Sequence, residues 1–194
     1  MEKKFSPLQC IGFFLIIGSL CLLLAFHFSI RAAADQAKQT CSLIESLIPQ
    51  RSPGIPGMLV QPEMAALEVN GEDYLGLLDV PRFGVTLPIG STWDIGTLQR
   101  HPCRYWGSVH NNSLVIGGAC HAGQFDFCEE LEIGDMVTVT DMTGAEFCYR
   151  VSHIGRSRHA DSQWLCQDDY DLTIFARTAF SLEYIAVRCT LSPN

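Results

Sequence analysis

The run from Ile11 to Ile30 contains no Asp, Glu, Lys or Arg and is packed with Phe13, Phe14, Leu15, Ile16, Ile17, Leu20 and Leu22 to Leu24. At about 1.5 Å of rise per residue, roughly 20 helical residues cross the hydrocarbon core of a bilayer. A cleaved secretory signal has an apolar stretch of only about 7–15 residues. The run exceeds that, so it reads as an uncleaved anchor, although Ala32-Ala33-Ala34 would suit a signal peptidase. Lys3 and Lys4 precede the run, which by the positive-inside rule places residues 1–10 in the cytoplasm. Residues 11–30 then form a single transmembrane helix, and everything after it lies outside the cell. Arg31 and Lys38 oppose that orientation slightly.

The charge balance removes one large class of partners. The 194 residues carry 13 Lys plus Arg against 21 Asp plus Glu, a formal charge of −8. Beyond residue 30 the imbalance is steeper, with 11 basic and 20 acidic side chains. A nucleic-acid binder needs a basic face to replace phosphate counterions, so no nucleic-acid partner is expected. Nine cysteines are an odd number, and their spacing suggests no disulfide framework.

Residues 31–70 read as a linker. Asp35 to Leu47 suits a short helix stopped by Pro49, and Gln50 to Gln61 is rich in Pro and Gly without a period. From residue 71 to 194 short apolar runs alternate with turn residues. Leu75–Val80, Val85–Ile89, Ser113–Gly117, Met136–Thr140, Glu146–Val151, Leu172–Phe175 and Tyr184–Arg188 read as strands. Asp141-Met-Thr-Gly144 marks a hairpin turn, and helical turns fit Thr92–Gln99 and Asp126–Leu131. Such a pattern predicts an all-β fold, a closed barrel or a sandwich.

The order of motifs is more specific than any one of them. Val80-Pro-Arg-Phe-Gly-Val-Thr-Leu-Pro-Ile89, Ser113-Leu-Val-Ile-Gly-Gly118, Leu131-Glu-Ile-Gly-Asp135, Val137-Thr-Val-Thr-Asp-Met-Thr-Gly144, Asp171-Leu-Thr-Ile-Phe175 and Val187-Arg-Cys189 follow one another over residues 72–191. This series resembles the sortase family, nearest the class B and related bacterial sortases. The resemblance implies a sortase-like closed β-barrel of about seven to eight strands with short helical turns, anchored by its N-terminal helix on the outer face of a Gram-positive-type bacterium. It also implies a cysteine transpeptidase that cuts a sorting peptide through a thioester, using a His, a Cys and an Arg. No cofactor or metal is implied.

Carried over position by position, the catalytic set is incomplete. The family His follows the strand matched by Leu114–Gly118, where this chain has Ala119. The family Cys position holds Arg177, and only the Arg is matched, by Arg188. A thioester requires a thiolate nucleophile, whereas a guanidinium stays protonated and an Ala methyl carries no proton. The expectation is therefore a degenerate member, probed by Arg177 and Arg188 acting together on one groove. Two cations brought close call for an anion between them, such as an acidic surface-protein peptide or a terminal carboxylate. The alternatives are a salt bridge to Asp168, Asp169 or Asp171, or simple exposure of Arg177. A rearranged active site would have to draw on His121, Cys120 or Cys189 alongside Arg188. His121 stands about 6–7 Å along the strand from Ala119 if the strand continues, and Cys189 points away from Arg188 by strand alternation.

Other constellations are weaker. His101, Cys103, His110, Cys120, His121 and Cys128 match no zinc-ligand spacing. Trp93, Trp106 and Trp164 could line a peptide groove, but core or rim packing suits any one of them better.

Overall fold

A computed structural model of the chain describes residues 7–53, 63–121, 123–178 and 181–192. It opens with one helix, α1 (Pro7–Leu47), 41 residues long. The expected anchor and the expected short helix after it are thus a single element. The charges at Arg31, Asp35 and Lys38 do not break it, because the buried residues Ala37, Cys41 and Ile44 recur at helical spacing on one side. That stripe lies against the barrel, and Ile44 shares an apolar cluster with Val69, Tyr74 and Leu77. The window Gly12–Ser29 is apolar and long enough to cross a membrane.

Among the described residues ten strands follow: β1 (Ser52–Pro53), β2 (Leu67–Val69), β3 (Glu72–Val80), β4 (Val85–Gly90), β5 (Cys103–Trp106), β6 (Leu114–Ala119), β7 (Met136–Asp141), β8 (Ala145–Ser157), β9 (Leu172–Arg177) and β10 (Tyr184–Leu191). Eight of them close a ring in the order β3, β4, β5, β6, β9, β10, β8, β7, since β7 pairs with both β3 and β8. Short helices α2 (Ile95–Leu98) and α3 (Ser162–Leu165) lie in the connections, with a 3₁₀ turn at Asp126–Glu129. The all-β barrel of eight strands agrees with the reading of the sequence. The linker does not end as cleanly as expected: β1 pairs with β8 and β2 with β3, so both flank the barrel. Residues 54–62 of the Pro/Gly stretch, and 1–6 of the expected cytoplasmic segment, lie outside the described residues.

The interior is made by alternate residues. Leu114 and Ile116 of β6, Ile174 and Ala176 of β9, and Ile185, Val187 and Cys189 of β10 are buried in one core with Phe125, Phe147 and Tyr149. Their neighbours on the other face form a second cluster, in which Val115, Leu165, Phe175 and Ala186 are buried and Tyr105, Trp164 and Tyr184 pack around them. This outer face of β6, β9 and β10 is where the candidate site lies.

Candidate functional site

The parallel pairing of β6 with β9 sets the site. Its register places Ala119 beside Arg177, Gly117 beside Phe175 and Val115 beside Thr173. The two positions singled out from the sequence are therefore direct neighbours on one rung. Arg177 is exposed and makes no ion pair among the described residues, so the simple-exposure alternative is the one realised. Across the next strand, Tyr184 stands opposite Arg177.

Arg188 is elsewhere. Its register partners are Thr173 on β9 and His153 on β8, four positions from the Arg177–Tyr184 rung. Four residues along a strand amount to roughly 13 Å. The spacing separates the two Cα positions, and the side chains differ in setting: Arg177 is exposed, whereas Arg188 is buried. Arg188 is only 2% exposed. Its Nη2 donates to the Trp164 carbonyl at 2.8 Å, and its guanidinium lies 5.0 Å from the Trp164 ring centroid and 5.5 Å from that of Tyr170. Burial pushes its pKa down. Neither Asp168, Asp169 nor Asp171 forms an ion pair with it among the described residues, and Asp171 instead accepts from the Leu191 amide at 2.6 Å. The arginine acts as a post holding the α3 segment against the sheet, through a carbonyl hydrogen bond and two aromatic faces.

The outer face beside this rung is aromatic. Trp93 stacks on Phe175 with centroids 5.6 Å apart and meets Tyr105 edge-on at 5.0 Å. The indole rests on Gly117, where a Cβ would come within 2.4 Å of Trp93 Cζ3. On the inner side a Cβ at Gly118 would lie 2.7 Å from the Phe125 ring. Rings therefore press on both faces of β6 at successive residues, and the Gly117-Gly118 pair is what admits them. This was the legible trace of the groove in the sequence, since a paired glycine inside a strand signals close approach. Trp93 itself gave no such signal.

The candidate cysteines pack with the barrel core. Cys189 belongs to the barrel core, where burial pushes its thiol up to about 12. Cys120 packs against the same core, where burial first and the neighbouring Cys120 second push the Cys128 thiol up. His121 Nε2 lies 3.2 Å from the Gln99 carbonyl, just after α2. A cysteine and an imidazole do meet at Cys103 and His101, with Sγ 3.8 Å from Nδ1, and His101 Nε2 is 3.0 Å from Glu72 Oε2. This cluster sits at the β3–β5 rim instead of in the groove. Cys103 is fully buried and its thiol is pushed up to about 12 by that burial. It is a packed thiol rather than a nucleophile. His110 lies 3.8 Å from Asp141, in the interior.

Comparison with known proteins returns no matching family model and no matching curated protein. Solved structures do match. Sortase C1 from Streptococcus agalactiae is 19% identical, with 66% of this chain and 72% of that chain covered and a TM-score of 0.56. A sortase D5 transpeptidase from Clostridium perfringens is 21% identical over 68% of this chain and 83% of that one, with a TM-score of 0.54. Sortase A from Corynebacterium diphtheriae is 18% identical over 85% of both chains, with a TM-score of 0.54. The class defined by the barrel is that of the sortase-like fold. At these identities the likeness concerns architecture, and what the groove does must be argued from its own residues.

Proposed function

We propose that the chain is a membrane-anchored, sortase-like binding module at the outer face of a Gram-positive-type bacterium, which holds a carboxylate-bearing peptide without cutting it. The N-terminus is cytoplasmic, the barrel is outside, and the protein serves as an accessory to surface-protein attachment. One observation supports this most directly: Ala119 and Arg177 share a rung of the groove. On the sortase assignment, that rung is where an imidazole and a thiolate would cooperate. A methyl and a guanidinium offer neither a proton shuttle nor a nucleophile. What they offer is a fixed cation at the mouth of an aromatic groove, suited to bidentate hydrogen bonding with a carboxylate. A transpeptidase rebuilt from His121, Arg188 and a displaced cysteine has less support, because Cys189 is a core thiol on the opposite face of β10 from Arg188, with its pKa pushed up to about 12 by burial.

The test is a titration of the full chain with a short apolar peptide carrying a free C-terminal carboxylate, and with its amidated form. The acid is expected to bind more tightly, and Arg177→Gln is expected to remove about tenfold of that affinity. Equal affinity for acid and amide, or no change in the variant, would remove the carboxylate reading.

A further inference from the structure

At the far end of the same outer face lies a cavity of about 330 Å³ that the groove reading does not use. Trp106 lines it and is 61% exposed. The backbone aims it there. Arg104 pairs with Ile116 and Trp106 with Val115, so Tyr105 is an extra residue in β5. Such a bulge re-aims the side chains beside it. Tyr105 turns into the Trp93–Phe175 cluster, and Trp106 is left on the same face as a bare platform. Gly107 fixes the turn behind it: its φ is +72°, and a Cβ there would meet the Ser113 carbonyl oxygen at 1.9 Å. Rigid backbone, exposed indole and cavity thus belong together.

Around the platform stand Arg104, Glu63, Ser108 and Asn111. Arg104 and Glu63 form no ion pair with each other or with any other described residue. Ser108 Oγ accepts from the His110 amide at 3.1 Å and keeps its own proton to donate. Asn111 Oδ1 accepts from Ser113 Oγ at 2.6 Å, leaving its amide N–H groups for a ligand. One cation and one anion leave the pocket without net charge, and its rim mixes donors with acceptors. An acidic peptide gains little here. A pyranose ring matches both halves, since one C–H face is apolar and flat while the hydroxyl rim donates and accepts in the plane around it.

We propose that this pocket is a saccharide site, with Trp106 as the stacking platform and Arg104, Glu63, Ser108 and Asn111 reading the hydroxyl rim. The inference goes beyond the groove and does not depend on it. The test uses the full chain in lipid nanodiscs, because alkyl-glycoside detergents would themselves offer a sugar. Chitotriose and cellotriose are the probes, followed by saturation-transfer NMR and by indole emission. Saturable binding with a Kd of about 1 mM is expected, weakened about tenfold in Trp106→Phe or Trp106→Ala and several-fold in Arg104→Met. Retention of the native near-ultraviolet dichroism by each variant separates lost contacts from lost folding. No saturable response to either oligosaccharide at about 20 mM would overturn the proposal, as would binding unchanged in Trp106→Ala. Binding of the acidic peptide at this pocket in place of the sugars would overturn it too. Loss of the Arg177 effect alone would fall on the groove reading and leave this one standing.

Discussion

β6 and β9 each present two faces that obey different rules. Inward, Leu114, Ile116, Ile174 and Ala176 give the unbroken apolar alternation of a barrel wall. Outward, the same two strands carry Gly117, Ala119, Phe175 and Arg177, a sequence no core would choose. Residues one apart on a strand point to opposite sides, so the fold and the chemistry are written on separate, interleaved sets of positions. The barrel can therefore persist while its outer face is rewritten.

Substitutions on the two faces should separate these roles sharply. Ile116→Ala opens a cavity in the closed interior and is expected to cost about 2–5 kcal/mol in chemical denaturation. Arg177→Ala, on the neighbouring strand but outward, is expected to change stability by no more than about 0.5 kcal/mol. A large loss at Arg177 would erase the distinction. Gly117→Ala tests the boundary between the faces. Its methyl would collide with the Trp93 ring, so a loss of about 1–3 kcal/mol is expected, along with a red shift of indole emission as Trp93 is pushed outward.

The polar rim supplies a smaller effect with a definite sign. Burial raises the Glu72 pKa, but hydrogen bonds from His101, Tyr74 and Arg100 outweigh it and hold the carboxyl below its ordinary range. Its folded pKa thus lies below the unfolded value of about 4.3. Ionised Glu72 stabilises the fold at pH values above that unfolded value, and the contribution is lost as pH falls through the folded pKa. Glu72→Gln is expected to lower stability at pH 7 by about 1 kcal/mol and to flatten the acid limb of the stability profile. An unchanged acid limb would show that the cluster contributes nothing.

A similarly small effect on stability is expected from introducing the residues that the sortase resemblance places at these two positions. Ala119→His with Arg177→Cys should leave the melting temperature within a few degrees, because both positions belong to the outward set. The introduced thiol should alkylate readily at pH 8 from its exposed position. Cys103 and Cys189, whose buried thiols titrate near 12, should not.

Much of this was readable beforehand, though unevenly. The hairpin at Asp141–Gly144 announced itself: Asp141 Oδ1 accepts from the Thr143 and Ala145 amides, and Gly144 has φ +85°. The inward alternation gave seven of the eight barrel strands. β5 escaped because it is only four residues long, carries Arg104, and is broken by the bulge at Tyr105. The continuity of α1 was hidden by its charges, which turn out to be exposed while Ala37, Cys41 and Ile44 keep the period. At the site, Ala119 and Arg177 were found through motif order, and their contact follows from the parallel register. The fate of Arg188 was not legible, since Trp164 and Tyr170 reach it from the connection after β8 rather than from its own sheet neighbours. Side chains that arrive from loops leave no periodic signal.

The proposed function is binding without covalent chemistry. Intact-mass spectrometry of the full chain in nanodiscs, incubated with a fluorogenic sorting-type peptide and a glycine acceptor, reads it directly. The account predicts an unmodified chain and an uncleaved peptide at every time point. An acyl adduct on any cysteine, formed and discharged in step with peptide cleavage, would contradict it.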